Sequence, residues 1–127
     1  MAEIPAVYKQ CLSGVSGTTT SAPNAFVVEW LGVSTATSDT CQAVYHPDFP
    51  DMSFEVELPT PGTTPVASCQ GGNDLAATTP KTLNDLTGTA IALTAAGCVG
   101  VLENTAYNKP KLTGTTVVAN IRMLFKK

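Results

Sequence analysis

Between residues 52 and 58 apolar and polar side chains alternate without a break. Met52, Phe54, Val56 and Leu58 fall in one phase and Ser53, Glu55 and Glu57 in the other. A period of two predicts a half-buried strand. "TTVVANIRMLF" (115–125) repeats the pattern, with Val117, Ala119, Ile121, Met123 and Phe125 on one face. Val118, Asn120, Arg122, Leu124 and Lys126 make the other. "AFVVEWLGV" (25–33) is interrupted only by Glu29 and reads as a buried strand with Trp30 in the core. Shorter strands are predicted at "TCQAVY" (40–45), "GTAIALTA" (88–95) and "GCVGVLE" (97–103), the last two separated by Gly97.

The connections are marked by turn-forming residues. "SGVSGTTTSAPN" (13–24) reads as a long loop or arm, "CQGGND" (69–74) as a turn and "NKPKLTG" (108–114) as a hairpin-like connection. "PTPGTTP" (59–65) has three prolines and a glycine in seven residues, which argues against sheet interior. One short helix is predicted at "TPKTLNDL" (79–86), where Thr82 and Asp85 resemble a capping box. Extending it would place Gly88, Gly97 and Gly100 inside a helix, which is costly. Within residues 1–24 only "AVYKQCL" (6–12) carries a strand signal. The reading is therefore an all-β fold, a small sandwich or barrel-like domain over residues 25–127. An extended N-terminal arm (1–24) that orders on a partner precedes it.

Composition changes this picture in one respect. Charged residues make up 13% of the 127-residue chain, about half the usual fraction for a soluble domain. Threonine takes their place, in runs at 18–20, 63–64, 78–79 and 115–116. A weakly charged, Thr-rich surface is poorly protected against association, so neighbours are expected to cover it. The plainer alternative is a Thr-rich β-domain that stays monomeric. Charge is also unevenly placed. Residues 1–103 hold all ten acids and only Lys9 and Lys81, a balance of −8. Residues 104–127 hold Lys109, Lys111, Arg122, Lys126 and Lys127 without an acid, a balance of +5. A basic end can pair with the acidic body or with an acidic neighbour. If the strands carrying Glu55 and Glu57 and carrying Arg122 and Lys126 are antiparallel neighbours, cross-strand ion pairs follow. Five cations over 24 residues in an acidic chain argue against nucleic-acid binding. "MAEIPAVYKQ" lacks the basic and apolar regions of a secretory signal, and no apolar run approaches the ~20 residues that span a bilayer.

Candidate chemistry is sparse. His46, the only histidine, sits in "YHPDFPDMSFEVEL" (45–58) with Asp48, Asp51, Glu55 and Glu57 close behind. Pro47 and Pro50 hold this backbone extended or turned, and no second histidine completes a usual zinc set. The segment reads as a corner leading into a strand. Weaker alternatives are a hard cation held by Asp48 and Asp51, or an acid–base role for His46. No G-x-S-x-G elbow or phosphate-cradling loop occurs. Cys11, Cys41, Cys69 and Cys98 form no C-x-x-C pair and read either as four buried thiols or as two disulfides. No catalytic, cofactor-binding or metal residue is assigned, and no small-molecule substrate or membrane partner is implied.

The final third, "GTAIALTAAGCVGVLENTAYNKPKLTGTTVVANIRMLF", resembles the closing segment of small tailed-phage head decoration proteins. In those a "VGVL"-type strand, a polar connection and a last alternating strand follow one another. The resemblance covers about 40 residues. It implies a non-enzymatic virion protein, made in the host cytoplasm, that binds the major capsid protein or copies of itself and cements an assembled shell. "EW" at 29–30 with "FEVELP" at 54–59 is also similar to the mid-region of RNA-phage coat proteins. That implies a self-assembling coat or tail-tube subunit instead. A third reading, an extracellular β-type module for glycan or protein, requires two disulfides and an exposed aromatic such as Trp30.

Overall fold

The computed structural model describes residues 6–10, 25–35 and 41–127. These residues form eight strands: β1 (Val7–Gln10), β2 (Ala25–Ser34), β3 (Asp51–Thr60), β4 (Thr63–Gly72), β5 (Lys81–Thr82), β6 (Gly97–Val101), β7 (Tyr107–Thr115) and β8 (Val118–Lys126). They make two antiparallel sheets, one ordered β1-β2-β8-β3-β6 and the other β5-β4-β7. The fold is all-β and sandwich-like, with no closed barrel among the described residues. Of the predicted arm, Val7–Gln10 pairs with β2 as an edge strand, while 1–5 and 11–24 lie outside the described residues.

One pairing organises both sheets. β3 runs antiparallel to β8 from Asp51↔Lys126 to Thr60↔Val118, and β4 continues against β7 from Thr63↔Thr115 to Gly72↔Tyr107. The chain therefore holds a single long two-stranded ribbon, bent between Thr60 and Thr63 on one side and between Thr115 and Val118 on the other. Bending lays one half over the other. Met52, Phe54 and Val56 of β3, with Ala119, Ile121, Met123 and Phe125 of β8, then face Ala67 and Cys69 of β4 and Leu112 of β7. The sulfurs of Cys69 and Met123 meet across the core at 3.9 Å. β2 adds Val28, Trp30 and Val33.

Proline and glycine explain where the ribbon bends. Register slips between Glu57 and Thr60, where Pro59 lies, and between Thr63 and Val66, where Pro65 lies. The 59–65 segment, expected not to be sheet interior, places its flanking prolines at the ends of β3 and β4, at irregularities where no regular ladder bond is needed. At the apex Gly62 has φ 55°, and a Cβ there would strike the carbonyl oxygens of Thr115 and Thr116. Gly32 (φ 67°) marks a similar slip in β2, where its N–H donates to Asn120 Oδ1 at 3.0 Å.

Four other expectations are corrected. "NKPKLTG" is not a connection but most of β7, and "CQGGND" is not a turn until Asn73, because β4 runs through Gly72. Pro110 is tolerated in β7 for a clear reason. Asn108 exchanges backbone bonds with Val44 at 2.9 Å, so Pro110, two residues on, also turns its donor-less nitrogen away from β4. The same proline explains why 41–45 pairs with β7 only at the Val44 bridge and forms no strand there, since the next in-phase pair would need its N–H. Residues 88–95 likewise attach by single bridges, Ala90 to Asn84 and Leu93 to Ala67.

The helix at 79–86 does not form. Lys81 and Thr82 pair with Gly71 and Gln70 instead, and Leu83 continues along β4 by donating to the Cys69 carbonyl. Asp85 is the anchor of a tight turn and not the far end of a capping box. Its Oδ1 accepts from Thr87 N (2.9 Å), Thr87 Oγ1 (2.6 Å) and Thr89 N (3.2 Å). Local side-chain bonds of this kind compete with helix.

Two stability predictions follow from the bends and the core. Gly32→Ala meets open space and suffers only from its positive φ, so urea denaturation is expected to show a loss of about 1 kcal/mol. Gly62→Ala adds a backbone collision, and a loss of roughly 3 kcal/mol or more is expected. Separately, Asn108 is fully buried, its Oδ1 has no partner among the described residues, and its Nδ2 reaches only Met52 Sδ at 3.6 Å. Replacing such an amide by an apolar group of similar volume removes its desolvation cost. Asn108→Leu should match the native thermal midpoint or exceed it by an amount equivalent to about 1 kcal/mol.

Candidate interaction surface

His46 sits at the Pro47 turn and lies against an aromatic cluster. Its ring meets Phe26 edge-on at 4.6 Å, with Phe125 at 5.3 Å and Phe49 at 6.2 Å. Burial lowers its pKa, and Asp48 offsets this only in part. The carboxylates that follow it are dispersed. Asp51 pairs with Lys126 at 3.5 Å, and Glu57 pairs with Arg122 on the far side of the ladder. No group of three or more His, Cys, Asp or Glu able to hold a metal occurs among the described residues. The segment is the corner into β3 that its prolines suggested.

The charge split is also resolved. β3 and β8 are antiparallel neighbours, and Arg122 bonds both Glu57 and, at 2.6 Å, Glu29 of β2. The two carboxylates, Glu57 foremost, hold the guanidinium above its ordinary range. This places an ion-paired acid–base–acid row across the middle of the outer face of the five-stranded sheet.

Around that row several apolar side chains share the outer face with the polar residues of β3. The phase of β2 presents Val27 and Leu31, that of β8 Val118 and Leu124, and β1 adds Val7 opposite Glu29. Leu86 lies over Gly100, where a Cβ would approach its Cδ1 to 2.7 Å. Leu31, Leu86 and Leu102 are 50%, 69% and 52% exposed. A shallow hollow of about 280 Å³ lies between Val27, Ser53, Glu55, Cys98, Arg122 and Leu124. Sequence reading recognised the strands but missed this face, because Leu86 and Leu102 belong to connections and reach it only through the fold.

Asp74, which no sequence signal singled out, organises the opposite end. It accepts from Thr78 N at 2.7 Å, Thr78 Oγ1 at 3.0 Å, Thr79 N at 3.3 Å and the Tyr107 hydroxyl at 2.9 Å. The Thr78 backbone bond leads these in holding its carboxyl well below the usual range. Burial and the Asp74 bond push Tyr107 up to about 12.

The cysteines divide. Cys69 is buried in the core, where desolvation pushes its thiol far up; Cys41 is also buried, but Cys98 is exposed on the outer face. Cys69 and Cys98 are free thiols, and Cys11 lies outside the described residues. Trp30 is fully buried and donates its indole N–H to the Gln42 carbonyl at 2.8 Å. The extracellular module reading called for two disulfides and an exposed aromatic such as Trp30; Trp30 is buried, and Cys69 and Cys98 are free thiols. No helix among the described residues is long and apolar enough to cross a membrane. No protein-family model and no curated sequence matches the chain.

These shifts fix the pH response. The folded chain binds a proton at His46 less readily than the unfolded chain, so this site contributes stability above the unfolded value near 6.5. That contribution is lost as pH falls through the lower folded value. His46→Phe should flatten the stability–pH curve between about pH 7 and 5, read by chemical denaturation. At the other extreme, stability is expected to fall once pH passes about 9, where the buried Cys69 thiol ionises only in the unfolded chain, and further from about pH 10 towards 12 as Tyr107 does the same. Tyr107→Phe should remove the second part of that loss and leave the first.

Proposed function

We propose that this chain is a non-enzymatic virion structural protein, a capsid decoration or cement subunit that stabilises an assembled shell. Its partners are the major capsid protein and other copies of the chain. The observation that carries the reading is the outer face of the five-stranded sheet. Its exposed leucines stand beside a row in which Arg122 is paired on both sides, so covering that row leaves no unpaired guanidinium behind. Binding that exists only on the assembled shell stabilises it by mass action, and repetition over many copies makes a modest interface sufficient. The resemblance of the last third of the sequence to decoration proteins supports the same reading, although β7 stands where a polar connection was expected.

The test is co-sedimentation with undecorated shells built from a tailed-phage major capsid protein. Saturable, stoichiometric binding is expected. Leu31→Glu, which alters an exposed side chain, should weaken it by about tenfold or more while the thermal midpoint stays put. No co-sedimentation at high protein excess would sink the proposal. Closed particles or tubes formed by the chain alone would transfer it to a coat or tail-tube role.

A further inference from the structure

The five-stranded sheet ends at β6 (Gly97–Val101), and which backbone groups of β6 point outward can be worked out from two directions. The Val117 carbonyl accepts from Thr35 N next to β2, so Val117, Ala119, Ile121, Met123 and Phe125 direct their N–H and C=O groups to β2. Asn120, Arg122 and Leu124 then serve β3 through Glu57, Glu55 and Ser53. This leaves Met52, Phe54 and Val56 to bond Val101, Val99 and Gly97 of β6. Cys98 and Gly100 must therefore point away from the sheet. Independently, Leu102 N donates outward to Asn84 O at 2.9 Å, which puts Gly100 and Cys98 in the same outward phase. Both routes agree.

Among the described residues none guards this edge between Cys98 and Gly100. Natural sheets blunt their edges with lysine, proline, bulges or covering segments. β6 reads "GCVGV", pairs with β3 without a register slip, and finds no hydrogen-bond partner among the described residues for its outward Cys98 and Gly100 groups. Two other edges are protected: Pro110 and the Val44 bridge close β7, and Pro80 adjoins β5. Beside the open edge stand the exposed Leu86 and Leu102.

We propose that β6 pairs antiparallel with β6 of a second copy about a twofold axis at Val99, joining two five-stranded sheets into one. The pattern is self-complementary. Cys98 of each copy lies opposite Gly100 of the other, and each such pair exchanges two N–H···O=C bonds, so all four outward groups of each strand are used. The side chains agree with this register, since Cys98 would stand beside a glycine and against the Leu86 that covers it. Val99 keeps its backbone bonds to β3. A second copy fits better than an unrelated peptide because one register satisfies both edges with the same residues. This dimer goes beyond shell binding and does not depend on it.

Sedimentation velocity of the isolated chain in reductant tests it without any shell. The native chain and Cys98→Ser, which keeps the amide, should run at twice the chain mass at about 100 µM. Cys98→Pro removes only an outward N–H, leaves the bonds to β3, and should weaken association by about tenfold or more. If that variant fails to fold, amide hydrogen exchange of the native chain decides instead. The Cys98 and Gly100 amides should become protected as concentration rises. A monomer at about 100 µM, a Cys98→Pro chain that dimerises normally, or Cys98 and Gly100 amides unprotected at every concentration would overturn the proposal.

Discussion

The ladder that joins residues 51–72 to residues 107–126 is the constraint on which the rest of this molecule depends. A ribbon of that length cannot stay flat in water, because one face of each half is lined by apolar side chains. Folding it at Gly62 turns those faces onto each other and makes the two sheets in one step. β2 and β6 then need only add to the margins of a sheet already fixed in register. The bend also ties the two sheets covalently at two adjacent points, so neither can slide on the other without breaking paired backbone at Thr60↔Val118 or Thr63↔Thr115. A slip of one residue would move Phe54 and Ile121 from the core to solvent, which explains why register is kept despite two irregularities.

Half of that ribbon is legible in the sequence and half is not. β3 and β8 alternate strictly because each has one face in the core and one in water. β4 and β7 alternate too, but with small or unusual members: Ala67, Cys69 and Gly71 face inward on one, Asn108, Pro110 and Leu112 on the other. Proline inside β7 and paired glycines at the end of β4 look like turn signals when read locally. They are compatible with strand only because of which edge their backbone groups face, and that is a property of the fold. The helix expected at 79–86 fails for a related reason. Asp85 has stronger local partners in Thr87 and Thr89 than any helix could give it.

Electrostatics was more accessible. The separation of acids from bases along the chain anticipates the Arg122 row, since antiparallel pairing of the last strand with an early one brings opposite charges together. Which carboxylates take part was only partly foreseeable. Glu57 does; Glu55, directly opposite Arg122 in the register, is not its ion-pair partner, and Glu29 from β2 takes a place instead. The cysteines follow burial more than spacing. Cys69 behaves as a small apolar core residue, whereas Cys98 shares its strand with Val99 and Val101 yet faces outward because the pleat assigns it to the other side.

The outer face and the β6 edge meet at Gly100, and this has a consequence for how the two proposals combine. Pairing through β6 sets two outer faces side by side in one continuous surface, with the Leu86 and Leu102 pairs near the twofold axis and the Arg122 rows further out. A rigid pair of identical faces engages a repetitive lattice at two points, and the second contact forms at the high effective concentration set by the first. Symmetry then becomes a geometric requirement on the partner. The lattice must offer local twofold positions, as closed shells do between neighbouring capsomers. A dimer of this kind would sit across subunit boundaries and not within one subunit, which is where a cementing contact resists separation most directly.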